Sequence, residues 1–209
     1  MYNNKFLDNG NKEKTLKISY STQKGGVGKS TMTTLLASIL HYRLGFNVLV
    51  LDCDFPQHSL TNMRERDKKT LMQNEYHKKA AMKQFQTINK KAYPIIKSKA
   101  EYALEKASEY IGQSAIAPDV IFFDLPGTAN TKGVLTTLKM MDFIFSPITA
   151  DRLVVESTLG FTKAFLNSRR PLRVMMSKSC GCSGTRWMAG KKQACMRLTE
   201  VSFINSTCP

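Results

Sequence analysis

The chain has 209 residues, of which 42% are hydrophobic, so it is long and apolar enough to bury the core of one α/β domain. No stretch approaches the roughly 18 consecutive apolar residues of a membrane-spanning helix, and residues 1–14 are polar and lack the apolar segment of a signal peptide. We therefore expect a cytoplasmic protein without a membrane anchor.

The net charge of +15 is unevenly distributed. Residues 64–110 contain twelve basic and six acidic residues, and residues 167–209 contain eight basic residues and one acidic residue. This excess could neutralise the phosphates of a nucleic acid, and a solvated, lysine-rich helical surface explains it equally well.

The first predicted elements are a strand, a glycine-rich loop and a helix. Leu16 to Ser21 alternates between apolar and polar residues, as a half-buried strand does. The loop from Gln23 to Thr31 reads QKGGVGKST, and apolar residues then recur at helical spacing from Met32 to Leu40 before Gly45, a typical helix stop. A phosphate-binding loop requires this order of elements.

The loop has the composition of a phosphate cradle. Its glycines would let several backbone N–H groups approach phosphate oxygens closely. Lys29 would place a positive charge on the outer phosphates, Ser30 would offer its hydroxyl to Mg²⁺, and the helix would present its positive end to the anion. Gln23 replaces the first glycine of the pattern G-x-x-x-x-G-K-[ST], and the alternative is a glycine-rich turn that precedes a helix by chance. The predicted nucleotide-binding residues are Lys24, Gly25, Gly26, Val27, Gly28, Lys29, Ser30 and Thr31.

A second strand, Asn47 to Asp54 (NVLVLDCD), is a continuous apolar run of the kind found in parallel strands that are covered on both faces. It ends in two carboxylates, Asp52 and Asp54. Because ligands of open α/β sheets gather at the carboxyl ends of the strands, we expect both side chains beside the glycine-rich loop. The alternative is that these aspartates cap the next helix.

Residues 64–112 form a basic segment rich in helix-forming residues, with Lys and Glu at helical offsets. We predict two or more helices, interrupted at Pro94 and inserted into the domain, with Met82, Phe85 and Ile88 on the inward side of one of them. This segment is the candidate surface for docking of a partner or contact with DNA.

A third apolar run ends in another carboxylate. Pro118 to Gly127 contains VIFFDLPG, and Asp124 at the end of the run would hold Mg²⁺ through a water molecule. Gly127 would let the following loop pass close to the γ-phosphate. The alternative is an aspartate that only begins a turn.

Strands and helices continue to alternate along the chain. Helices are predicted at about Thr131–Met141 and Val154–Leu166, with a strand at Phe143–Pro147 between them. The pattern predicts an α/β domain over residues 15–166, with a doubly wound, mostly parallel sheet flanked by helices.

The periodic pattern ends at about residue 166. Residues 167–209 form an irregular basic tail with four of the five cysteines: Cys180, Cys182, Cys195 and Cys208. A zinc site is one interpretation, although paired C-x-x-C spacing and nearby histidines are lacking. Another interpretation is out-of-frame translation, which would truncate the last strands of the domain.

The three motifs together resemble those of the ParA, MinD and Soj ATPases. The lysine before the double glycine in KGGVGKS is similar to the family's deviant Walker A box, and DCDFPQ resembles its D-x-D-P-Q signature with Phe55 as an additional residue. The resemblance covers about residues 16–166 and is closest to the ParA-like TraA proteins of conjugative transposons. It implies a P-loop NTPase fold, with ATP and Mg²⁺ as cofactors.

The resemblance also implies roles for individual residues. Lys24 would reach across a nucleotide-sandwich homodimer to the phosphates of the partner subunit. Asp54 would orient or deprotonate the attacking water, and Asp52 would support the Mg²⁺ shell. The implied catalytic residues are Lys24, Lys29 and Asp54, and the implied metal ligands are Ser30, Asp52 and Asp124.

By the same resemblance, the chain would be an ATP-hydrolysing dimerisation switch in DNA partition or in conjugative transfer of a mobile element. Its implied partners are a second copy of the chain, non-specific DNA and a stimulating protein. The alternative is a nucleotide-dependent DNA-binding or docking module, or a truncated relative, without significant hydrolysis. The lengthened DCDFPQ box and the irregular tail favour this alternative, and a phosphate-release assay separates the two.

Overall fold

A computed structural model describes residues 15–21, 26, 28–127, 131–148, 173–178 and 201–204. Its centre is a seven-stranded sheet in the order β3-β2-β4-β1-β5-β6-β7, in which every pair of neighbouring strands is parallel. The strands are β1 (Leu16–Tyr20), β2 (Val48–Asp52), β3 (Ile95–Lys97), β4 (Val120–Asp124), β5 (Phe143–Ile148), β6 (Arg173–Lys178) and β7 (Val201–Ile204).

The helices cover both faces of the sheet. They are α1 (Lys29–Ser38), α2 (Ser59–Gln73), α3 (Glu75–Ile88), α4 (Ala103–Gln113) and α5 (Val134–Leu138), with a π-helical turn at Ile39–Arg43 and a 3-10 turn at Ala100–Tyr102. Among the described residues, no helix combines the length and the apolar character that a membrane span needs.

The hydrophobic core has two parts, one on each face of the sheet. Alternate residues of β2 point to opposite faces, so Val48 and Val50 pack with α1 and α2, whereas Leu49 and Leu51 pack with α4 and α5. All five residues of β2 and all five of β4 are buried. This double cover explains their continuous apolar sequences and confirms the predicted doubly wound α/β fold.

The two long helices α2 and α3 form a hairpin that is attached to the core at a few points only. Asn74 joins them, and its side chain accepts hydrogen bonds from the first backbone N–H groups of α3. The core contact comes from Leu60 and the partly buried Met63 of α2, and α3 has no buried residue. Most of the hairpin surface therefore faces solvent.

Several sequence-based expectations are modified by the structure. The segment 64–112 contains a short strand, β3, which was not predicted and which pairs with β2. Met82 was expected to face inward, but it is 54% exposed. In the predicted tail, β6 and β7 extend the sheet beyond β5. The helix predicted at Val154–Leu166 and the tail cysteines lie outside the described residues.

Helix α5 begins at a glycine that lies against the backbone of the 3-10 turn. Gly133 has a φ of +83°, and a Cβ atom there would lie 2.4 Å from the Cα of Glu101. A second contact joins the same helix and turn, because the Thr137 hydroxyl of α5 donates to the carbonyl of Ala100 over 2.7 Å. The glycine is thus required both by its backbone conformation and by the close approach.

We predict that Gly133→Ala lowers the free energy of unfolding by roughly 1–3 kcal/mol. The added methyl group would push the start of α5 away from the backbone of Glu101, and alanine would have to adopt an unfavourable positive φ. The matched control is Gly112→Ala in α4, where no atom lies within 4 Å of the added Cβ. That substitution should stabilise by roughly 0.5–1 kcal/mol through helix propensity. Urea unfolding followed by circular dichroism measures both, and equal stability of the two variants would contradict the prediction.

Candidate functional site

The predicted phosphate cradle lies between the carboxyl end of β1 and the start of α1. Gly26 and Gly28 have φ values of +73° and +84°, the left-handed region that glycine adopts readily. Gly28 is also the N-cap of α1 and offers no side-chain acceptor, so the first N–H groups of this helix remain available to an anion. At Gly26 and Gly28, the described glycines of the loop, the backbone therefore has a conformation that suits a phosphate-binding loop.

The central contact of the site joins the start of α1 to the end of β4. The Ser30 hydroxyl donates to Oδ2 of Asp124 over 2.7 Å. Asp124 is completely buried, and this burial raises its pKa to about 7. The Ser30 hydrogen bond and the Lys29 charge lower that pKa, whereas the carboxylates of Asp52 and Asp54 raise it. The cradle and three acidic residues are thus close enough to interact electrostatically.

A second buried carboxylate lies on the neighbouring strand. Asp52 at the end of β2 is in register with Asp124 at the end of β4, and it is also completely buried. Its Oδ2 accepts two hydrogen bonds from Thr61 of α2, from the backbone N–H at 2.8 Å and from the hydroxyl at 2.7 Å. Asp52 therefore does contact the next helix, as the capping alternative expected, but with only one of its two carboxylate oxygens.

The other oxygen of each aspartate fits a divalent cation. Oδ1 of Asp52 and Oδ1 of Asp124 are buried and accept no hydrogen bond from the described part of the chain. Unpaired carboxylate oxygens removed from water are costly, and Mg²⁺ binds such oxygens together with water and phosphate. No cluster of three or more His, Cys, Asp or Glu side chains suited to a metal occurs among the described residues.

The third acidic residue, Asp54, is partly exposed at the same edge of the sheet. Its carbonyl accepts a hydrogen bond from the backbone N–H of His58 over 2.8 Å, which closes a turn before α2. Phe55, the additional residue of the DCDFPQ box, points outward and is 54% exposed, with the Lys99 ammonium 5.0 Å from its ring centre. The extra residue is thus placed on the surface.

The structure brings together most of the residues that the sequence singled out. Thr31 is exposed on α1, and Lys24, Gly25 and Val27 lie outside the described residues. The residues that meet at the site are Gly26, Gly28, Lys29, Ser30, Asp52, Asp54 and Asp124. Sequence reasoning missed His58 and Thr61, and the capping alternative for Asp52 was the signal that could have found Thr61.

We predict a specific pH dependence for the protein without nucleotide or metal. Because the pKa of Asp124 is raised on folding, the native state binds more protons than the unfolded state between about pH 4 and pH 7. The contribution of Asp124 to stability is therefore complete at low pH and is lost as the pH rises through 7, with a slope of at most about 1.4 kcal/mol per pH unit. Asp124→Asn should remove this slope in denaturant unfolding measured with EDTA, whereas Asp67→Asn on the exposed surface of α2 should retain it.

Comparison with known proteins identifies the family. A family profile described as "AAA domain" (AAA_31) matches residues 15–156. No curated protein matches the chain.

Solved structures with similar folds include plasmid partition proteins and the cell division protein MinD of Aquifex aeolicus. One from Borrelia burgdorferi is 25% identical, with a TM-score of 0.50 over 78% of this chain and 79% of that chain. A putative partition protein of Borrelia burgdorferi B31 bound to AMPPNP is 23% identical, with a TM-score of 0.50 over 78% and 76%. The pNOB8 ParA bound to nonspecific DNA is 18% identical, with a TM-score of 0.51 over 79% and 69%. The chain belongs to the AAA_31 family of AAA domains, and its fold is that of the ParA/MinD type of P-loop ATPase.

Proposed function

We propose that the chain is an ATP-binding and ATP-hydrolysing dimerisation switch that acts in DNA partition or in conjugative transfer of a mobile element. The observation that carries this proposal is the hydrogen bond from Ser30 to the buried Asp124, beside Gly26 and Gly28 in left-handed conformation. This arrangement would join a phosphate-binding helix start to an acidic metal site. The match to the AAA domain and the likeness to a plasmid partition protein support the same function.

The residues of the cradle would bind and orient the triphosphate. The exposed N–H groups at the start of α1 would hold phosphate oxygens, and the Lys29 ammonium would neutralise the charge of the outer phosphates. Lys24, by resemblance to the family, would contribute a second ammonium from the partner subunit. Phosphoryl transfer depends mainly on such positioning and charge stabilisation, because little covalent chemistry is left to the protein.

Ser30, Asp52 and Asp124 would hold Mg²⁺ in this site. A bound Mg²⁺ would supply positive charge that offsets the negative charge of the phosphates. The protein contributes two buried carboxylate oxygens without partners among the described residues and a hydroxyl that already contacts one of these carboxylates. The pKa of Asp124 is raised mainly by burial and further by the charges of Asp52 and Asp54, and a bound divalent cation would lower it.

Asp54 would orient or deprotonate the attacking water. It follows the buried strand β2 by two residues and remains partly exposed, so it can reach solvent while Asp52 stays in the core. Its charge raises the pKa of Asp124, so Asp54 lies within electrostatic range of this proposed metal ligand. Asp54 would thus act as the general base of a slow hydrolysis step, which a partner protein would accelerate.

The hairpin of α2 and α3 is the proposed DNA-binding surface. Residues 59–88 contain seven lysines and arginines against three acidic residues, and most of these side chains are exposed. Lys68 and Lys69 on α2 and Lys79 and Lys83 on α3 are all exposed. A surface of this kind binds phosphates without reading sequence.

We predict that two substitutions in the site separate nucleotide binding from hydrolysis. Lys29→Ala should abolish binding of ATP with Mg²⁺, because the charge on the outer phosphates is then unopposed. Asp54→Ala should leave ATP affinity unchanged and lower turnover by roughly 10²–10⁴-fold, the usual contribution of a general base. Isothermal titration calorimetry measures the affinity, and phosphate release with and without DNA measures the turnover.

The controls are Lys106→Ala and Asp67→Ala, which remove exposed ion pairs on α4 and α2. Both should bind and hydrolyse ATP as the unmodified chain does. Equal ATP affinity of Lys29→Ala and the unmodified chain would refute the site assignment. ATP binding without phosphate release by the unmodified chain would favour the docking module that does not hydrolyse.

We predict that Lys68→Glu combined with Lys69→Glu weakens binding to random-sequence duplex DNA and flattens its salt dependence. The slope of log K against log salt should become shallower by about 0.9 for every phosphate that the variant no longer neutralises. Fluorescence anisotropy at several salt concentrations, with ATP and Mg²⁺ present, measures this slope. Lys106→Glu combined with Lys139→Glu changes the net charge equally at sites outside the hairpin, and an equal weakening in both double variants would show that only net charge matters.

A further inference from the structure

The two carboxylate oxygens of Asp52 have different surroundings. Oδ2 is saturated by Thr61, whose backbone N–H and hydroxyl both donate to it. Oδ1 accepts no hydrogen bond from the described residues, and Nδ1 of the His58 ring lies 3.7 Å from it. The carboxylate is therefore fixed by hydrogen bonds at Oδ2, whereas Oδ1 has no hydrogen-bond partner within the described chain.

Thr61 is in the first turn of α2, where the Asp52 carboxylate takes the place of an ordinary helix cap by accepting its hydrogen bonds. The N-cap residue, His58, has a left-handed backbone with φ of 44°, and its side chain does not cap the helix. The third N–H of the helix, that of Thr61, instead reaches the buried carboxylate of Asp52. The start of α2 is thus fastened to the end of β2 through this single side chain.

His58 holds the same residue from another direction. Its ring Nδ1 lies 3.1 Å from the backbone carbonyl of Asp52, and its own backbone N–H donates to the carbonyl of Asp54. The ring is therefore in contact with Asp52 at two atoms, the carbonyl and, more distantly, Oδ1.

We propose that Thr61 and His58 are positioning residues of the metal–nucleotide site. Thr61 occupies Oδ2 and so fixes the rotation of the carboxylate, which leaves Oδ1 for the metal shell. His58 contacts the backbone carbonyl of Asp52 and so holds the main chain from which that carboxylate projects. Side chains that orient a metal-binding carboxylate through hydrogen bonds change metal affinity without contacting the metal themselves. This inference rests on the proposed function, because it assigns a task to residues next to the proposed Mg²⁺ site.

A purely structural role predicts something different. If Asp52 serves only to cap α2, loss of the Thr61 hydroxyl lowers stability to the same extent with and without Mg²⁺. If Asp52 is oriented for the metal, the same change alters the Mg²⁺ concentration at which nucleotide binding is strengthened. Metal dependence of binding therefore distinguishes the two roles.

The test compares Thr61→Val with Thr61→Ser in the full chain. Valine keeps the shape and the backbone N–H but removes the hydroxyl, whereas serine retains it. A fluorescent, slowly hydrolysed ATP analogue is titrated at a series of Mg²⁺ concentrations, and its affinity without Mg²⁺ is measured in EDTA. Thr61→Val should raise the Mg²⁺ concentration at which analogue binding is half-maximally strengthened by roughly tenfold or more, with unchanged affinity in EDTA. Thr61→Ser keeps the hydroxyl and should have the midpoint of the unmodified chain.

Thr70→Val is the matched control on the same helix, because Thr70 is exposed and its hydroxyl donates to the carbonyl of Arg66, away from the site. It should leave the Mg²⁺ midpoint unchanged. His58→Asn is the second variant and covers the case in which Thr61→Val does not fold: asparagine tolerates the left-handed backbone but removes the ring. It should raise the midpoint in the same direction.

The outcomes separate this inference from the proposed function. If the unmodified chain binds the analogue with Mg²⁺, and Thr61→Val and His58→Asn bind it with the same Mg²⁺ midpoint, the positioning role is wrong while the nucleotide site stands. If Thr61→Val and Thr61→Ser both shift the Mg²⁺ midpoint to the same extent, the role of the hydroxyl is also wrong. If the unmodified chain does not bind the analogue at all, the proposed function itself fails.

Discussion

The arrangement of this domain depends on two carboxylates that are buried side by side at the carboxyl ends of two neighbouring parallel strands. Asp52 and Asp124 end neighbouring strands in register, and both are completely removed from solvent. The cost of this burial is offset only in part by the hydroxyls of Thr61 and Ser30. One oxygen of each carboxylate has no hydrogen-bond partner in the described chain, so the fold retains an acidic centre that a cation can complete.

The same geometry explains why the charges of the chain are separated. The acidic residues of the candidate site, Asp52, Asp54 and Asp124, lie at the carboxyl ends of β2 and β4. The lysines of α2 and α3 lie on a hairpin that contributes few residues to the core. Arg64 is different, because it stacks on the Tyr93 ring and donates to the Tyr93 carbonyl, which anchors the hairpin to the segment before β3. A chemical centre and a basic surface are thus combined in one domain and linked at the start of α2.

The sequence predicts the parts of this structure that have a strong local signal. Strands β2 and β4 follow from apolar runs that end in aspartate, because full burial leaves no polar alternation. Strand β3 has only three residues and lies between helices, so its periodicity is too short to detect. Met82 was misplaced because helical spacing shows which residues share a face but not whether a core lies beneath that face. The contact between Thr61 and Asp52 joins residues nine positions apart through a turn, which no periodic pattern encodes.

The absence of a side chain at position 133 has a mechanical consequence. The start of α5 is joined to the turn at Ala100–Tyr102 by the close approach at Gly133, the hydrogen bond from Thr137 and the ion pair of Lys132 with Glu101 at 3.2 Å. The helix that follows β4 and the turn that follows the edge strand β3 are therefore packed directly against each other. A larger residue at position 133 would separate these two connections, which leave the sheet from different strands.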